Sequence, residues 1–253
     1  MDTQMLRMLQ DRIEIGRTKV ITDALLDRLQ LNYKGLKIES SETQVYLMTG
    51  LLTETNMSNL TLDLKFYFKN PNIPLENLSN RLDNYQPVNE SERLMVKYAK
   101  ALIDTPGELT AAGLFIWGTP GVGKTHIAVG TTKEFMTRDL DAGYVGGGDY
   151  SRLHEAERSL GPGQVWVLDD LNSPFGTEMD VFKKMVLNAH NVGGRLLVTS
   201  NTSYQSLMEK GFGVDYENRR RFTDRSKQMF KTLHVRGRSQ RTRLPWYKQQ
   251  KLL

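Results

Sequence analysis

Along the last two thirds of the chain, short runs of apolar residues alternate with longer segments that mix apolar and polar residues. The apolar runs have the length of buried strands and fall at residues 113–117, 142–145, 165–168 and 195–198. The segments between and before them have helical spacing and fall at residues 90–103, 124–135, 149–160 and 180–189. Strands that alternate with helices predict an α/β fold with a parallel sheet flanked by helices. The site of such a fold lies at the carboxyl ends of the strands.

The first part of the chain has a different pattern. Residues 1–31 carry apolar residues at the spacing of one or two helices. Residues 60–68 alternate leucine and phenylalanine with more polar residues, which predicts a half-buried strand. The segment Asn70–Pro74 then interrupts regular structure. Residues 1–80 are therefore predicted to form a small separate α+β module, which either docks a protein partner or caps the next domain.

Composition narrows the class of protein. The 253 residues contain no cysteine, so disulfides and thiolate metal sites are excluded. No apolar stretch has the length of a membrane span and the polar N-terminus does not resemble a signal peptide, so we expect a cytoplasmic protein with no membrane partner. Residues 217–253 hold twelve Lys and Arg against two acids, whereas residues 1–216 hold 22 against 27. A basic end on an acidic protein points to a polyanion partner such as DNA.

A phosphate-binding loop follows the first apolar run of the second domain. Residues 118–125 read GTPGVGKT, which matches the Walker A pattern G-x-x-x-x-G-K-[ST] between a strand and a helix. Glycines let backbone N–H groups surround phosphates, and the helix presents its positive end to them. We expect Lys124 to contact the phosphates and the Thr125 hydroxyl to bind Mg²⁺. The predicted loop residues are Gly118, Thr119, Pro120, Gly121, Val122, Gly123, Lys124 and Thr125.

Two further strands end in polar residues that suit the same site. The run at 165–168 ends in Asp169 and Asp170, the Walker B pattern. Asp169 is predicted to hold Mg²⁺, and Asp170 to orient or deprotonate the attacking water. The run at 195–198 leads to Asn201, which a parallel sheet would bring beside the γ-phosphate to position that water.

The last part of the chain is rich in arginine. Arg219, Arg220, Arg221 and Arg225 form one group, and any of them is a candidate arginine finger for the γ-phosphate of a neighbouring subunit. Residues 241–248 then interleave basic and aromatic groups. This pattern suits contacts to DNA phosphates combined with base stacking, and it is equally typical of a loose tail.

The order of these motifs resembles the DnaC/DnaI/IstB group of AAA+ ATPases, which are helicase loaders and transposition ATP-binding proteins. The resemblance covers residues 82–241, and its motifs lie at residues 81–85, 118–126, 168–171, 198–201, 224–225 and 236–241. It implies a P-loop AAA+ domain at residues 81–235 with a basic tail at 236–253.

The resemblance also assigns roles to individual residues. It makes Asn201 the sensor-1 residue, Arg225 the arginine finger and Arg241 a sensor-2-like residue. It places Tyr85 beside the adenine and adds His126 to the nucleotide-binding loop.

The leading hypothesis is an ATP- and Mg²⁺-dependent AAA+ protein that forms a homo-oligomer on DNA, with ATP sites at subunit interfaces. It would load or recruit a replicative helicase, bound through residues 1–80. One alternative is a transposition ATPase that coats duplex DNA and recruits a transposase. Others are a viral-type superfamily three helicase and a scaffold that binds ATP without hydrolysing it. A GTPase is disfavoured because the chain contains no N-K-x-D motif.

Overall fold

The structure is a computed structural model, and it describes residues 6–9, 12–16, 21–40, 44–104, 113–173, 176–212, 216–237 and 239. The chain divides into two compact units, Met1–Ser79 and Asn80–Leu253. In the described part of the chain, no helix is both long enough and apolar enough to cross a membrane.

The first unit is a four-stranded antiparallel sheet with two α-helices. Its elements in chain order are β1 (Leu6–Leu9), β2 (Arg12–Gly16), α1 (Asp23–Asn32), β3 (Lys37–Ser40), β4 (Gln44–Met48), α2 (Glu54–Lys69) and a 3-10 helix (Leu75–Asn77). The strand order is β1-β2-β4-β3. Ile13, Ile15, Val45 and Leu47 are buried at alternate positions of the two central strands, so one face of the sheet forms the core.

Part of the helical prediction for residues 1–31 is wrong. Leu6–Leu9 and Arg12–Gly16 pair as antiparallel strands, and only Asp23–Asn32 is helical. In β2 the buried Ile13 and Ile15 flank the half-buried Glu14, which is the period of a strand. A short strand pair offers too few residues to distinguish this period from a helical one.

The strand predicted at residues 60–68 is also wrong, because this segment lies inside α2. Thr53 begins the helix by accepting a hydrogen bond from the Asn56 N–H at 3.3 Å. The buried positions of α2 are Leu60, Asp63, Leu64, Phe66 and Tyr67. This spacing of three and four residues is that of a helix, and the alternating leucines are compatible with it only in part.

The second unit has the predicted α/β architecture. Its elements are α3 (Glu90–Asp104), β5 (Gly113–Gly118), α4 (Lys124–Thr137), β6 (Ala142–Val145), α5 (Tyr150–Ser159), β7 (Val165–Leu168), α6 (Gly176–Val192), β8 (Arg195–Ser200), α7 (Tyr204–Phe212), α8 (Tyr216–Met229) and β9 (Phe230–Val235). The five strands are parallel in the order β6-β7-β8-β5-β9. The strands and helices predicted in this unit are thereby confirmed, while α7, α8 and β9 were not predicted.

The sheet is covered on both faces, which leaves its carboxyl edge as the place for a site. Phe115 and Val198 are fully buried in one core cluster with residues of α6, α7 and α8. Leu114 and Ile116 alternate with Phe115 along β5 and are buried on the other side, where α3 and α4 contact this strand. The loops after β5, β7 and β8 therefore meet at one edge of the sheet.

Candidate nucleotide site

The predicted phosphate loop joins β5 to α4. Gly121 and Gly123 have φ angles of 86° and 90°, in the left-handed region that glycine adopts without strain. A Cβ atom on Gly123 would lie 2.7 Å from the Tyr85 hydroxyl oxygen, and one on Gly121 would lie 2.8 Å from the Ser239 Cβ. Both glycines are thus required by backbone conformation and by close neighbours.

Lys124 is buried at the start of α4, with 6% of its surface exposed. Its Nζ donates to the carbonyl oxygens of Gly118 at 2.8 Å and Thr119 at 3.0 Å. It also donates to Oδ1 of Asn201 at 2.8 Å. The ammonium group therefore lies within the phosphate loop and contacts the end of β8.

Asp169 is buried at the end of β7 and is held by hydroxyl groups. Thr199 donates to its Oδ1 at 2.5 Å and Tyr144 donates to its Oδ2 at 2.8 Å. Burial raises the pKa of the Asp169 carboxyl, while hydrogen bonds from Thr199, Tyr144 and Thr125 oppose the rise. Burial, followed by the neighbouring Asp169 charge, raises the pKa of Tyr144 well above its ordinary value, so the phenol keeps its proton for this bond.

Asp170 and Asn201 connect the ends of β7 and β8. Asp170 has a φ of 62°, a left-handed conformation that aspartate tolerates better than most residues, and its N–H donates to the Thr199 hydroxyl at 2.9 Å. Its Oδ1 accepts from Nδ2 of Asn201 at 3.1 Å. Because Asn201 also accepts from Lys124, one amide links the phosphate loop to the second Walker B carboxylate.

Tyr85 and His126 lie together on the outer side of the phosphate loop. The Tyr85 hydroxyl donates to the Val122 carbonyl at 2.9 Å, and its ring makes an edge contact with the His126 ring at 5.1 Å. Nε2 of His126 carries the hydrogen, because it faces the Arg81 carbonyl at 2.9 Å and Oδ1 of Asn84 at 2.8 Å. Burial lowers the pKa of His126. These contacts hold residues 81–85 against the loop.

The segment after β9 lies beside the phosphate loop. The Thr119 hydroxyl donates to the Gly237 carbonyl at 3.2 Å. The Arg236 N–H donates to the Ser91 hydroxyl at 3.0 Å, and Nδ2 of Asn89 donates to the Arg236 carbonyl at 2.9 Å. The start of the predicted basic tail is thus fixed to both the loop and the start of α3.

Four of the predicted arginines, Arg219, Arg220, Arg221 and Arg225, lie on α8. Arg225 is exposed on α8, which ends where β9 begins, at the opposite edge of the parallel sheet from the phosphate loop. Arg220 is exposed and Arg219 half-buried on the same helix. The side chain of Arg221, together with Arg241 and the rest of the tail from residue 240, lies outside the described residues.

Three residues of the site were not predicted, namely Tyr144, Asn172 and Thr199. Tyr144 and Thr199 are neighbours of Asp169 only through strand pairing. Asn172 donates from Nδ2 to Oδ1 of Asp170 at 2.5 Å. The sequence distinguishes these residues only by position. Each lies near or just after the end of a strand, either β7 itself or one of its two neighbours in the sheet.

The donor set fits a magnesium nucleotide. A loop of glycines with a buried lysine suits a chain of phosphates. The Asp169 carboxylate and the Thr125 hydroxyl are the hard oxygen ligands that Mg²⁺ prefers. Within the described ranges, no group of three or more His, Asp or Glu is arranged to hold a metal. Such an ion would therefore depend on water and phosphate oxygens as well, which is usual for Mg²⁺.

Two of the solved structures that are similar to this chain show its fold. DnaI matches with a TM-score of 0.56 and 19% identity, over 66% of this chain and 94% of its own. A putative primosome component from Streptococcus pyogenes serotype M3 matches with a TM-score of 0.51 and 15% identity, over 67% and 92%. The chain has a P-loop AAA+ fold. At these identities the likeness shows the fold alone, and no family model and no curated protein matches the sequence.

Proposed function

We propose that this chain is an ATP-hydrolysing AAA+ protein that assembles on DNA and loads or recruits a replicative helicase. One observation supports the proposed hydrolysis of ATP. Lys124, Asn201 and Asp170 are joined by consecutive hydrogen bonds at the edge where the phosphate loop and the ends of β7 and β8 meet. This arrangement brings a cation for phosphate, an amide for water and a carboxylate for a proton into one cluster.

Each residue has a distinct role in the proposed reaction. The loop N–H groups and Lys124 bind the β- and γ-phosphates. Asp169 and Thr125 hold Mg²⁺, which supplies charge neutralisation on the phosphate oxygens when bound. Asn201 orients a water whose proton passes to Asp170 as its oxygen bonds to the γ-phosphorus. The bond to the β–γ bridging oxygen breaks, which leaves ADP and phosphate.

The proposed assembly is supported by the position of α8. Arg225 is exposed near the edge of the sheet opposite to its own phosphate loop, so it would serve the γ-phosphate of a neighbouring copy. An arginine supplied in this way increases hydrolysis by about 10³–10⁵ in other phosphoryl-transfer enzymes. Hydrolysis would then require oligomers.

The DNA and helicase parts are supported by charge and by fold. The basic surplus of residues 217–253 suits a polyanion. The predicted basic tail starts at residue 236, where the Arg236 N–H donates to Ser91 of α3 and the Gly237 carbonyl accepts from Thr119 of the phosphate loop. One similar structure is a putative primosome component. Residues 1–80 supply a separate unit that would dock the helicase.

A direct test combines turnover with DNA binding. We expect the purified full chain to hydrolyse ATP and Asp170→Asn to bind ATP with kcat lower by about 10²–10⁴. In fluorescence polarisation, a slowly hydrolysed ATP analogue should strengthen binding to single-stranded DNA, with affinity that falls steeply with salt.

The outcomes separate the alternatives. ATP-dependent coating of duplex DNA would transfer the proposal to a transposition regulator. Strand separation by the protein alone would favour a helicase, and binding to neither form of DNA would remove nucleic acid from the proposal. ATP binding without turnover would leave a scaffold. Copurification of a replicative helicase with the full chain, lost when residues 1–80 are deleted, would support the docking role.

A further inference from the structure

Asn172 occupies the centre of the contacts between the loops after β7 and β8. Its Nδ2 donates to Oδ1 of Asp170 at 2.5 Å. Its Oδ1 accepts from the Asn201 N–H at 2.7 Å and from the Ser200 hydroxyl at 3.3 Å. One side chain therefore holds both the second Walker B carboxylate and the backbone of the residue that contacts Lys124.

The orientation of this amide is fixed by its neighbours. A reversed amide would face the Asp170 carboxylate with its oxygen and the Asn201 N–H with its NH₂ group. Both contacts would then repel, because carboxylates only accept hydrogen bonds and backbone N–H groups only donate them. The donor end of Asn172 is thus directed at Asp170 and the acceptor end at β8.

We propose that Asn172 is a positioning residue for Asp170 in ATP hydrolysis. This inference rests on the proposed function. Both Asn172 and Asn201 contact Oδ1 of Asp170, so the carboxylate is held through that oxygen and Oδ2 is presented to the attacking water. Asn172 touches neither water nor phosphate in this scheme, and it acts through the carboxylate.

The consequence for the reaction is a defined proton acceptor. The attacking water gives its proton to Oδ2 while the amide bonds hold Oδ1. Without Asn172 the carboxylate can rotate about its side-chain torsion, because among the described residues only the longer bond from Asn201 remains on it. The barrier to hydrolysis then rises, whereas ATP binding by Lys124 and the loop is preserved.

Asn172→Asp tests the positioning of the Asp170 carboxylate while it keeps the contact of residue 172 with the Asn201 N–H. This change keeps the size of the side chain and its acceptor oxygen for the Asn201 N–H, and it replaces the donor to Asp170 with a carboxylate oxygen that repels the Asp170 carboxylate. Asn172→Ala removes both. The matched control is Asn188→Asp on α6, where the amide donates to the Leu160 carbonyl at 3.1 Å outside the site.

Four quantities should be measured on the full chain. They are kcat and KM for ATP, the Kd of a fluorescent ATP analogue with Mg²⁺, and the thermal unfolding midpoint. We expect kcat of Asn172→Asp and Asn172→Ala to fall by about 10- to 100-fold, with KM and Kd within about twofold of wild type. Asn188→Asp should change none of the kinetic constants by more than about twofold.

A double mutant tests whether the loss of kcat in Asn172→Asp arises through Asp170. If Asn172 acts through Asp170, Asn172→Asp placed on Asp170→Asn should lower the residual kcat by less than about twofold, because the two changes act as a unit. A full additional loss would mean that Asn172 acts by another route and would overturn the inference.

The remaining outcomes are also decisive. If Asn172→Asp hydrolyses ATP at the wild-type rate, the positioning role is refuted and the proposed ATPase stands. The same holds if the Kd for the ATP analogue rises by the factor by which kcat falls. A wild-type protein that binds ATP without hydrolysing it would refute both.

Discussion

Each unit of this protein contains a buried aspartate that accepts a hydrogen bond from a tyrosine. In the first unit, the Tyr33 hydroxyl donates to Oδ2 of Asp63 at 2.6 Å, and in the second the Tyr144 hydroxyl donates to Oδ2 of Asp169 at 2.8 Å. Both carboxylates are almost completely buried. A buried carboxylate with a phenol partner therefore does not by itself indicate a site.

The surroundings of the two pairs differ. Asp63 lies in the middle of α2, and its bond joins this helix to the residue that ends α1. Asp169 lies at the end of a strand, and the next residue is linked through Asn201 to Lys124. The connection to a cation and to a second carboxylate at a sheet edge is what distinguishes a candidate catalytic group from a structural one.

Removal of the cation should give the largest effect. Lys124→Ala should weaken ATP binding by at least about 100-fold, because it deletes the charge that contacts the phosphates. Titration with a fluorescent ATP analogue measures this, with Lys184→Ala as the control, since Lys184 pairs with Glu157 away from the site. If Lys124→Ala and Lys184→Ala bind ATP with comparable affinity, Lys124 does not bind the phosphates. Its link to the residue after Asp169 would then no longer distinguish Asp169 from Asp63.

Neutralising each aspartate in turn sharpens the comparison. Asp169→Asn should lower hydrolysis by about 10²-fold or more and abolish the dependence of ATP affinity on Mg²⁺. Because burial raises the pKa of Asp169, its charge is costly in the folded state, and the nucleotide-free variant should unfold at the same or a higher temperature. Asp63→Asn should leave kcat within about twofold. Equal kinetic losses in both variants would refute the assignment.

Removing the two phenol hydroxyls should give an intermediate effect. Tyr33→Phe and Tyr144→Phe each leave a buried acceptor without one donor, so each should lower the free energy of unfolding by about 1–3 kcal/mol. Only Tyr144→Phe should also reduce the increase in unfolding temperature caused by Mg²⁺ and ATP. Chemical denaturation measures the free energies of unfolding, and thermal unfolding with and without the ligand measures the temperature increase. An equal ligand response in the two variants would contradict the expectation.

The smallest expected effect is the pH dependence from His126. Burial lowers its folded pKa below the unfolded value of about 6.5, so under acid the unfolded chain takes up a proton that the folded chain does not. The stability contributed by neutral His126 is present above about pH 6.5 and is lost as pH falls below it.

His126→Gln should therefore lose less stability than wild type between about pH 7 and pH 5.5, measured by urea unfolding. His190→Gln, at an exposed position on α6, should retain the wild-type loss. Identical pH dependence in all three proteins would show that His126 does not contribute.

Prediction from sequence succeeded where local chemistry is distinctive. The glycines of the phosphate loop, the strands at Val165–Leu168 and Arg195–Ser200, and the helix at Glu90–Asp104 are where the sequence indicates. Asn89 caps α3, since its Oδ1 accepts from the Glu92 N–H at 3.0 Å. Turn, cap and phosphate-loop signals depend on residues within a few positions of one another, so they can be recognised from the sequence before the fold is known.

Prediction failed where periodicity was ambiguous or where contacts are distant in sequence. The leucines of α2 follow a period of two and fit a helical period only in part, and the burial of Asp63 and Tyr67 shows that the segment is a helix. β9 follows a helix rich in arginine and was missed, although it pairs with β5 along its whole length. Such an edge strand acquires its partner only in the folded chain.

The sequence by itself determined that the second unit is an α/β domain with a phosphate loop, two candidate carboxylates and a basic end. The tertiary structure decided which side chains complete the site. Tyr144, Thr199 and Asn172 acquire their positions because parallel pairing brings the ends of β6, β7 and β8 to one edge. The hydrogen bonds of Tyr144 and Thr199 to Asp169 span 25 and 30 residues, a separation that only the register of the sheet can close.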